Sequence, residues 1–395
     1  MNKNLRILLL VSVLFGLATG IYDLALPYYL QEKQVSFQNM GIIFAVAALV
    51  IFIIRIYVSH LSDISGRKYF FSLAIFGSAV ANLLTPITAS VAIQSILKTL
   101  RETAFMVKET IQSVLIYEHD KKRYTDWIGK IRGMEYFTEG AGTLIVGIFL
   151  FFSTYQGSLI FAGGLLFVGL IIFIWKFTES KDIEPVSADI QNQEELTVSP
   201  FQSIDLKLPH PRLYSYNLPR ELKIIAIAGF ITGIGTSTSH CFVMPLFFSQ
   251  KFQTTTFIVA VIMALHRVVL ALPMIFVSKF IKHNLKWIYI WFLVVQSIAI
   301  SATALIPNLW IAAIVWFIHD LVGGGIWAPA YNALIQKYSR SESRALDTSK
   351  VMALNQLGWV FGPLLAGWLF PISVNYPFIF GGLISLASVF ILLKL

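Results

Sequence analysis

Little in this chain is charged, and almost nothing in it is cysteine. Asp, Glu, Lys and Arg make up 13% of its 395 residues, too few for the surface of an ordinary soluble domain. A single cysteine, Cys241, excludes an intramolecular disulfide and any paired-cysteine metal motif. No phosphate-binding loop, His-Glu-x-x-His motif or nucleophile elbow is present, which removes the usual signs of ATP hydrolysis, zinc-dependent hydrolysis and acyl transfer. The sequence therefore predicts no enzyme, no cofactor and no metal centre. Basic residues are also scarce on every second loop, where only Lys33 and Lys251 occur.

What the chain has in abundance is apolar length. It is 56% hydrophobic, with a mean hydropathy of +0.72, and runs able to cross ~30 Å of hydrocarbon, at roughly 20 residues each, recur throughout. The runs are continuous rather than alternating, which predicts helices and not a barrel. Twelve spans are expected, over residues 5–30, 38–60, 69–87, 91–117, 131–152, 157–177, 221–249, 255–280, 286–306, 309–337, 347–371 and 375–394. Lys3 and Arg6 precede the first run as in a signal peptide, but its length and the lack of a small-residue cleavage site favour an uncleaved helix. The formal charge of +9 does not point to nucleic acid, because Lys and Arg collect on alternate loops. The positive-inside rule then places both termini in the cytoplasm, as an even number of spans requires. The plasma membrane is the expected location, with the lipid bilayer as solvent.

One segment breaks the apolar pattern. Residues 178–220 contain Pro185, Pro200, Pro209, Pro211 and Pro219 among many polar side chains, and read as a cytoplasmic linker between a six-helix bundle over 1–177 and another over 221–395. Halves of similar length invite a search for a repeat. A shift of about 218 residues lays "LPYYLQEKQVS" (26–36) on "MPLFFSQKFQT" (244–254), matching Pro27 with Pro245 and Lys33 with Lys251. Within a residue or two, the same shift brings Ser59, Asp63 and Arg67 onto Ser278, Lys282 and Lys286, and Gly142 and Gly147 onto Gly362 and Gly367.

The stretch "SHLSDISGRKYF" (59–70) resembles the cytoplasmic loop signature between the second and third helices of the major facilitator superfamily. Asp63, Gly66, Arg67 and Lys68 match it, and Ser59 replaces the usual leading glycine. Arg101 occupies the place of the family's fourth-helix arginine, "GGGIWAPAYNALIQKYS" (323–339) resembles its tenth helix, "SESRA" (341–345) resembles the arginine loop that follows, and "GWVFGPLLAG" (358–367) its Gly-x-x-x-Gly-Pro pattern. The resemblance implies an all-α protein of twelve transmembrane helices in two pseudo-symmetric bundles, working by alternating access as a monomer on a small-molecule solute. It also implies a gating role for the loop of Asp63, Gly66, Arg67 and Lys68. Antiporters of the family carry a Gly-Pro motif in the fifth span, whereas this span reads "EGAGTLIVG" (139–147) with no proline. That difference counts against multidrug–proton efflux, the alternative reading.

The least expected feature is charge within the spans. At 100° per residue, Gln94, Ser95, Lys98, Arg101, Glu102, Lys108, Glu109, Gln112 and Ser113 fall within an arc of about 140° on the fourth helix. Arg132, Glu135, Glu139 and Thr143 share a stripe on the fifth, and Ser12, Gly16, Thr19 and Asp23 one on the first. A charge at the bilayer centre costs about 2.5–3.5 kcal/mol on insertion scales, so these groups should face a wet interior and each other. Lys108, Glu109, Arg132 and Glu135 lie nearer the cytoplasm and read as structural ion pairs. Asp23, Lys98, Arg101, Glu102, Glu139, Arg267, His319 and Asp320 lie nearer mid-membrane and are the candidates for binding solute or coupling protons. In the family fold the first, fourth, seventh and tenth helices surround the cavity, which adds His240, and the fifth helix meets the eighth, which would pair Glu139 with Arg267. A buried carboxylate whose cationic partner moves away gains proton affinity, and this would couple a proton to alternating access.

His266 and His319 read with equal weight as packing residues or as proton carriers, with Asp320 adjoining His319. Tyr331 and Trp327 are aromatic candidates for solute contact. The function expected is secondary active transport of a small polar or charged organic solute, coupled to protons. A non-transporting sensor on the same scaffold is the alternative from another class.

Overall fold

The computed structural model describes residues 3–64, 67–178, 217–280, 284–340 and 344–395. Among these residues all regular structure is helical. In the first half α1 runs over Lys3–Glu32, α2 over Phe37–Ile64, α3 over Arg67–Leu84, α4 over Val91–His119, α5 over Tyr124–Phe149 and α6 over Tyr155–Lys176. The second half has α7 (Arg220–His240) and α8 (Val243–Phe252) as one broken span, α9 (Thr256–Phe280), α10 (Leu285–Leu305), α11 (Leu309–Val322) and α12 (Ala328–Tyr338) as another, then α13 (Arg344–Leu369) and α14 (Tyr376–Leu392).

Among the described residues, eight helical segments are long and apolar enough to cross a membrane on composition alone. The others have identifiable reasons for falling short. Charges or amides interrupt α4, α5 and α13, which need protein or water on their polar faces, and α14 has 17 residues. Counting these with the broken pairs yields the twelve spans of the expected fold. Helix α5 begins at Tyr124, seven residues before the expected start of the fifth span. The carboxylate of Asp120 accepts from the Arg123 backbone amide and the Trp127 indole, so a capped turn launches the helix while its residues are still polar.

Packing repeats between the halves. Helix α1 lies against α5 and α6 as α7 lies against α13 and α14, and the halves meet through α2 with α13 and α5 with α9. Two glycine positions of the repeat explain this geometry. A Cβ on Gly142 would come within 2.9 Å of the Leu17 carbonyl carbon, and one on Gly362 within 2.7 Å of the Ile234 oxygen, so each lets its helix reach the first helix of its own half. A Cβ on Gly147 would meet Ala260 Cβ at 2.6 Å, and one on Gly367 would meet the Phe37 oxygen at 2.6 Å, so each closes the contact with the opposite half.

Both described chain ends lie on one face, termed here the terminal face. Toward the opposite face the halves are fastened. Tyr28 donates to the Pro245 carbonyl at 3.1 Å, the hydroxyls of Tyr155 and Thr256 lie 3.0 Å apart, and Phe37 packs edge-on against Phe370 with ring centroids 4.8 Å apart. Phe44 and Phe242 meet deeper, at 5.5 Å.

Candidate functional site

The fastened halves enclose a cavity of about 380 Å³, lined by α1, α2, α4, α5, the α7–α8 break, α9 and α13. This volume lies in the range that small-molecule sites occupy, roughly 300–1,000 Å³. The α7–α8 break helps to form it: Cys241 still donates to the Ser237 carbonyl at 3.3 Å, but its backbone leaves the helical conformation there, and Pro245 follows inside the first turn of α8. A helix interrupted where it borders a cavity leaves its polar backbone groups in a place where they can be satisfied.

Six charged side chains form a continuous alternating series across this cavity. Lys98 Nζ lies 2.8 Å from Glu102 Oε1, and Arg101 contacts the same oxygen at 2.6 Å, as one helical turn and adjacency on α4 allow. Arg101 then reaches Asp23 Oδ1 on α1 at 3.3 Å. The other oxygen of Asp23 lies 3.3 Å from Arg267 on α9, and Arg267 also lies 3.4 Å from Glu139 Oε2 on α5. Three cations face three carboxylates, so no formal charge is left over. Arg267 alone of the six comes from the second half, and it therefore ties the halves together at mid-depth. The Tyr22 ring backs the series, 4.2 Å from the Arg101 guanidinium carbon and 5.1 Å from Lys98 Nζ.

Nearer the terminal face stand two separate pairs, Lys108 with Glu135 and Arg132 with Glu109. Lys108 is fully buried and Glu135 is 3% exposed, whereas Arg132 and Glu109 keep 26% and 31% of their side-chain surface.

A second polar cluster sits behind the cavity in the second half. His240 Nε2 is 2.7 Å from His319 Nε2, His319 Nε2 is 3.2 Å from Asp320 Oδ1, and His266 Nδ1 contacts Asp320 Oδ2. His240 and His266 line the cavity, while His319 and Asp320 lie deeper, against Trp316. Of the mid-membrane candidates, Asp23, Lys98, Arg101, Glu102, Glu139 and Arg267 border the cavity directly. Tyr331 and Trp327 do not. They pack on Tyr289 inside the second bundle, with centroids 5.6 and 5.8 Å away, because the five-residue π turn Gly323–Trp327 redirects the chain between α11 and α12.

Comparison with known proteins agrees with this geometry. The sequence profile described as Major Facilitator Superfamily matches residues 8–284 and, in a second match, 225–395. The chain belongs to the major facilitator superfamily. Its membership makes it a membrane transport protein and not an enzyme. Sequence comparison with curated proteins finds no significant match. Among solved structures, a mutant form of the nucleoside transporter NupG superposes with a TM-score of 0.78 at 12% identity, covering 100% of this chain and 99% of that one. The human organic anion transporter MFSD10 (TETRAN) has a TM-score of 0.69 at 13% identity, with 99% of each chain covered. A bacterial homologue of the human lysosomal transporter Spinster, in an inward-facing and unoccupied conformation, has a TM-score of 0.67 at 14% identity, covering 99% of this chain and 94% of the other. At these identities the likeness is one of fold.

The superfamily loop is partly visible. Arg67 opens α3 and forms an ion pair with Glu118 near the end of α4, and Lys68 Nζ donates to the Phe177 carbonyl at 2.7 Å. These contacts tie α3 to α4 and to the end of α6. Gly66 and the Asp63 side chain lie outside the described residues, as do most of the 178–220 linker, Lys282, and residues 341–343 of the arginine loop. Glu118 was not a sequence candidate, although its place on the last turn of α4, beside the loop, was the available signal.

Proposed function

We propose that this protein is a secondary active transporter that moves a small polar or charged organic solute by alternating access, coupled to protons. The observation that carries this reading is the position of Arg267. It holds Asp23 and Glu139 of the other half at 3.3 and 3.4 Å, so any rocking of one half against the other breaks or stretches these contacts. A carboxylate that loses its cation in a poorly hydrated site is neutralised by a proton instead. Glu139, 3% exposed, is the stronger candidate for that exchange, and Asp23, with 34% of its side-chain surface exposed, is the second. Lys98, Arg101 and Glu102 then provide the solute-facing charges, with Tyr22 as an aromatic floor. His319 and Asp320 lie deeper, behind His240 and His266, and are the remaining candidates for proton coupling.

The moving bodies are residues 1–177 and 221–395, joined by 178–220, and a single copy suffices. Both termini face the cytoplasm of the plasma membrane, which makes the fastened face the outer one. Asp63, Gly66, Arg67 and Lys68 act as the loop that favours one conformation, through the tie of α3 to α4 and α6. The cavity volume suits a solute of nucleoside or small organic anion size, the classes carried by two of the structural neighbours.

The test is solute-dependent proton movement into proteoliposomes containing a pH dye, across organic anions, cations, nucleosides, sugars and drugs. The wild type is expected to acidify or alkalinise the lumen with one solute class, and Glu139→Gln to carry solute without protons. Solute flux with no proton movement in the wild type would remove the coupling. A conformational response to solute with no flux of any kind would favour a sensor.

A further inference from the structure

The hydrogen-bond directions around His240 and His319 leave something unfilled. His319 Nδ1 contacts the Trp316 carbonyl, and His240 Nδ1 lies 2.9 Å from the Thr236 carbonyl. A carbonyl only accepts, so both Nδ1 atoms carry the hydrogen, and in a neutral ring Nε2 is then a bare lone pair. Ser239 does not alter this, since its hydroxyl donates to the Thr236 carbonyl at 3.0 Å and turns only its oxygen to His240. Two lone pairs thus face each other across 2.7 Å, with the Asp320 carboxylate 3.2 Å from one of them. Such an arrangement is repulsive until a cation sits among the donors.

We infer that His240, His266, His319 and Asp320 form a binding site for a divalent late first-row transition ion, with zinc the first candidate. The donor atoms of His266, His319 and Asp320 lie within 4.8 Å of one another, and those of His240 and His319 are closer still. Tetrahedral bonds of about 2.0–2.1 Å set donor atoms roughly 3.3 Å apart, so the ion is seated by parting the His240 and His319 nitrogens by about 0.6 Å and by replacing the direct contact of His266 with Asp320. Three imidazoles and one carboxylate suit zinc, cobalt or nickel and not magnesium or calcium, which select oxygen. The supporting contacts are those of a metal site as well: a ligating histidine commonly donates its other ring N–H to a backbone carbonyl, which fixes tautomer and ring orientation. A single proton can bridge one nitrogen pair, but α9 and α11 bring three donors within 4.8 Å of one another, and His240 of α7 adds a fourth nitrogen against His319. His240 and His266 border the cavity and supply the entry path, while the Trp316 ring, 3.8 Å from His319 and 4.9 Å from His240 by centroids, walls the far side. This site rests on the cluster alone and stands whether or not transport is proton-coupled.

The experiment uses full-length, tag-free protein in detergent, stripped with EDTA and titrated with Co²⁺ and then Zn²⁺. One equivalent of Co²⁺ per chain is expected to develop the intense visible absorption of a tetrahedral site, and Zn²⁺ to displace it. His319→Gln and Asp320→Asn should each weaken binding at least tenfold, and Cys241→Ser should leave it within about twofold, since no thiolate is in the shell. X-ray absorption of the zinc-loaded wild type, which needs no variant to fold, should show imidazole scattering and no sulfur. An absence of saturable binding, binding unchanged in both variants, or a shell without imidazole would overturn the inference.

Discussion

Replacing Glu135 by alanine leaves Lys108 as a fully buried ammonium without an anion. In the structure Lys108 has 0% side-chain exposure, Glu135 has 3%, and the rings of Phe15 and Phe105 lie 4.6 and 5.9 Å from Lys108 Nζ by centroid. Ring faces are worth about 0.5–2 kcal/mol to a cation and cannot replace a carboxylate. Removing one partner of a buried pair costs about 3–5 kcal/mol, whereas replacing both with apolar residues of similar volume is close to neutral or stabilising by about 1–4 kcal/mol. At roughly 2–4 °C per kcal/mol for a unit of 150–250 residues, Glu135→Ala should lower the apparent Tm by on the order of 10 °C. The double variant Lys108→Met/Glu135→Leu should recover most of that loss. Tryptophan fluorescence during thermal unfolding in detergent reads both, and the double variant should still transport. If the double variant loses as much as Lys108→Met and Glu135→Leu added together, the residues do not act as a pair and the structural reading fails.

Other consequences follow from the contacts between helices. Arg267→Ala should release the mid-depth tie, whose charge-assisted contacts contribute about 1.5–3 kcal/mol, and so shift the balance between conformations by roughly 10- to 150-fold; spin-label distances across the terminal face would record it. Gly142→Val places a branched side chain against the Leu17 backbone and should destabilise the first bundle by about 1–3 kcal/mol, while Gly164→Ala, inside α6 with nothing within 4 Å of its Cβ, should raise stability by up to about 1 kcal/mol in the same melt. Glu118→Gln removes the ion pair to Arg67 and should slow solute flux while leaving solute affinity unchanged, which equilibrium binding beside initial uptake rates would separate.

The sequence made the first half of the site legible, because helical periodicity alone gathers Lys98, Arg101 and Glu102 on one face of α4 and Glu135 and Glu139 on one face of α5. The contact of Arg267 with Glu139 was reachable only through the resemblance to a known fold, since no local pattern tells which helices of two halves meet. Asp23 was placed in the cavity, but its role as the link from Arg101 to Arg267 needed coordinates. The histidine cluster was less visible. The sequence shows His319 beside Asp320 and His266 beside Arg267, yet their convergence with His240 depends on three helices and on the break after α7. That break and the π turn at Gly323–Trp327 were also missed, because Cys241 and Phe242 open an apolar run that carries no turn residue before Pro245. Three glycines in succession marked the second interruption without fixing its form.

The central claim is that the halves alternate about the cavity, and a reversible lock at the fastened face tests it most directly. Phe37→Cys and Phe370→Cys, introduced in a Cys241→Ser background, would replace a ring pair now 4.8 Å apart with two thiols that a short bis-methanethiosulfonate reagent can join. Solute flux through the same proteoliposomes would be followed before cross-linking, after it, and after reduction. The account predicts flux that vanishes in the cross-linked protein and returns when the bridge is reduced. Flux that persists with the bridge fully formed would contradict it.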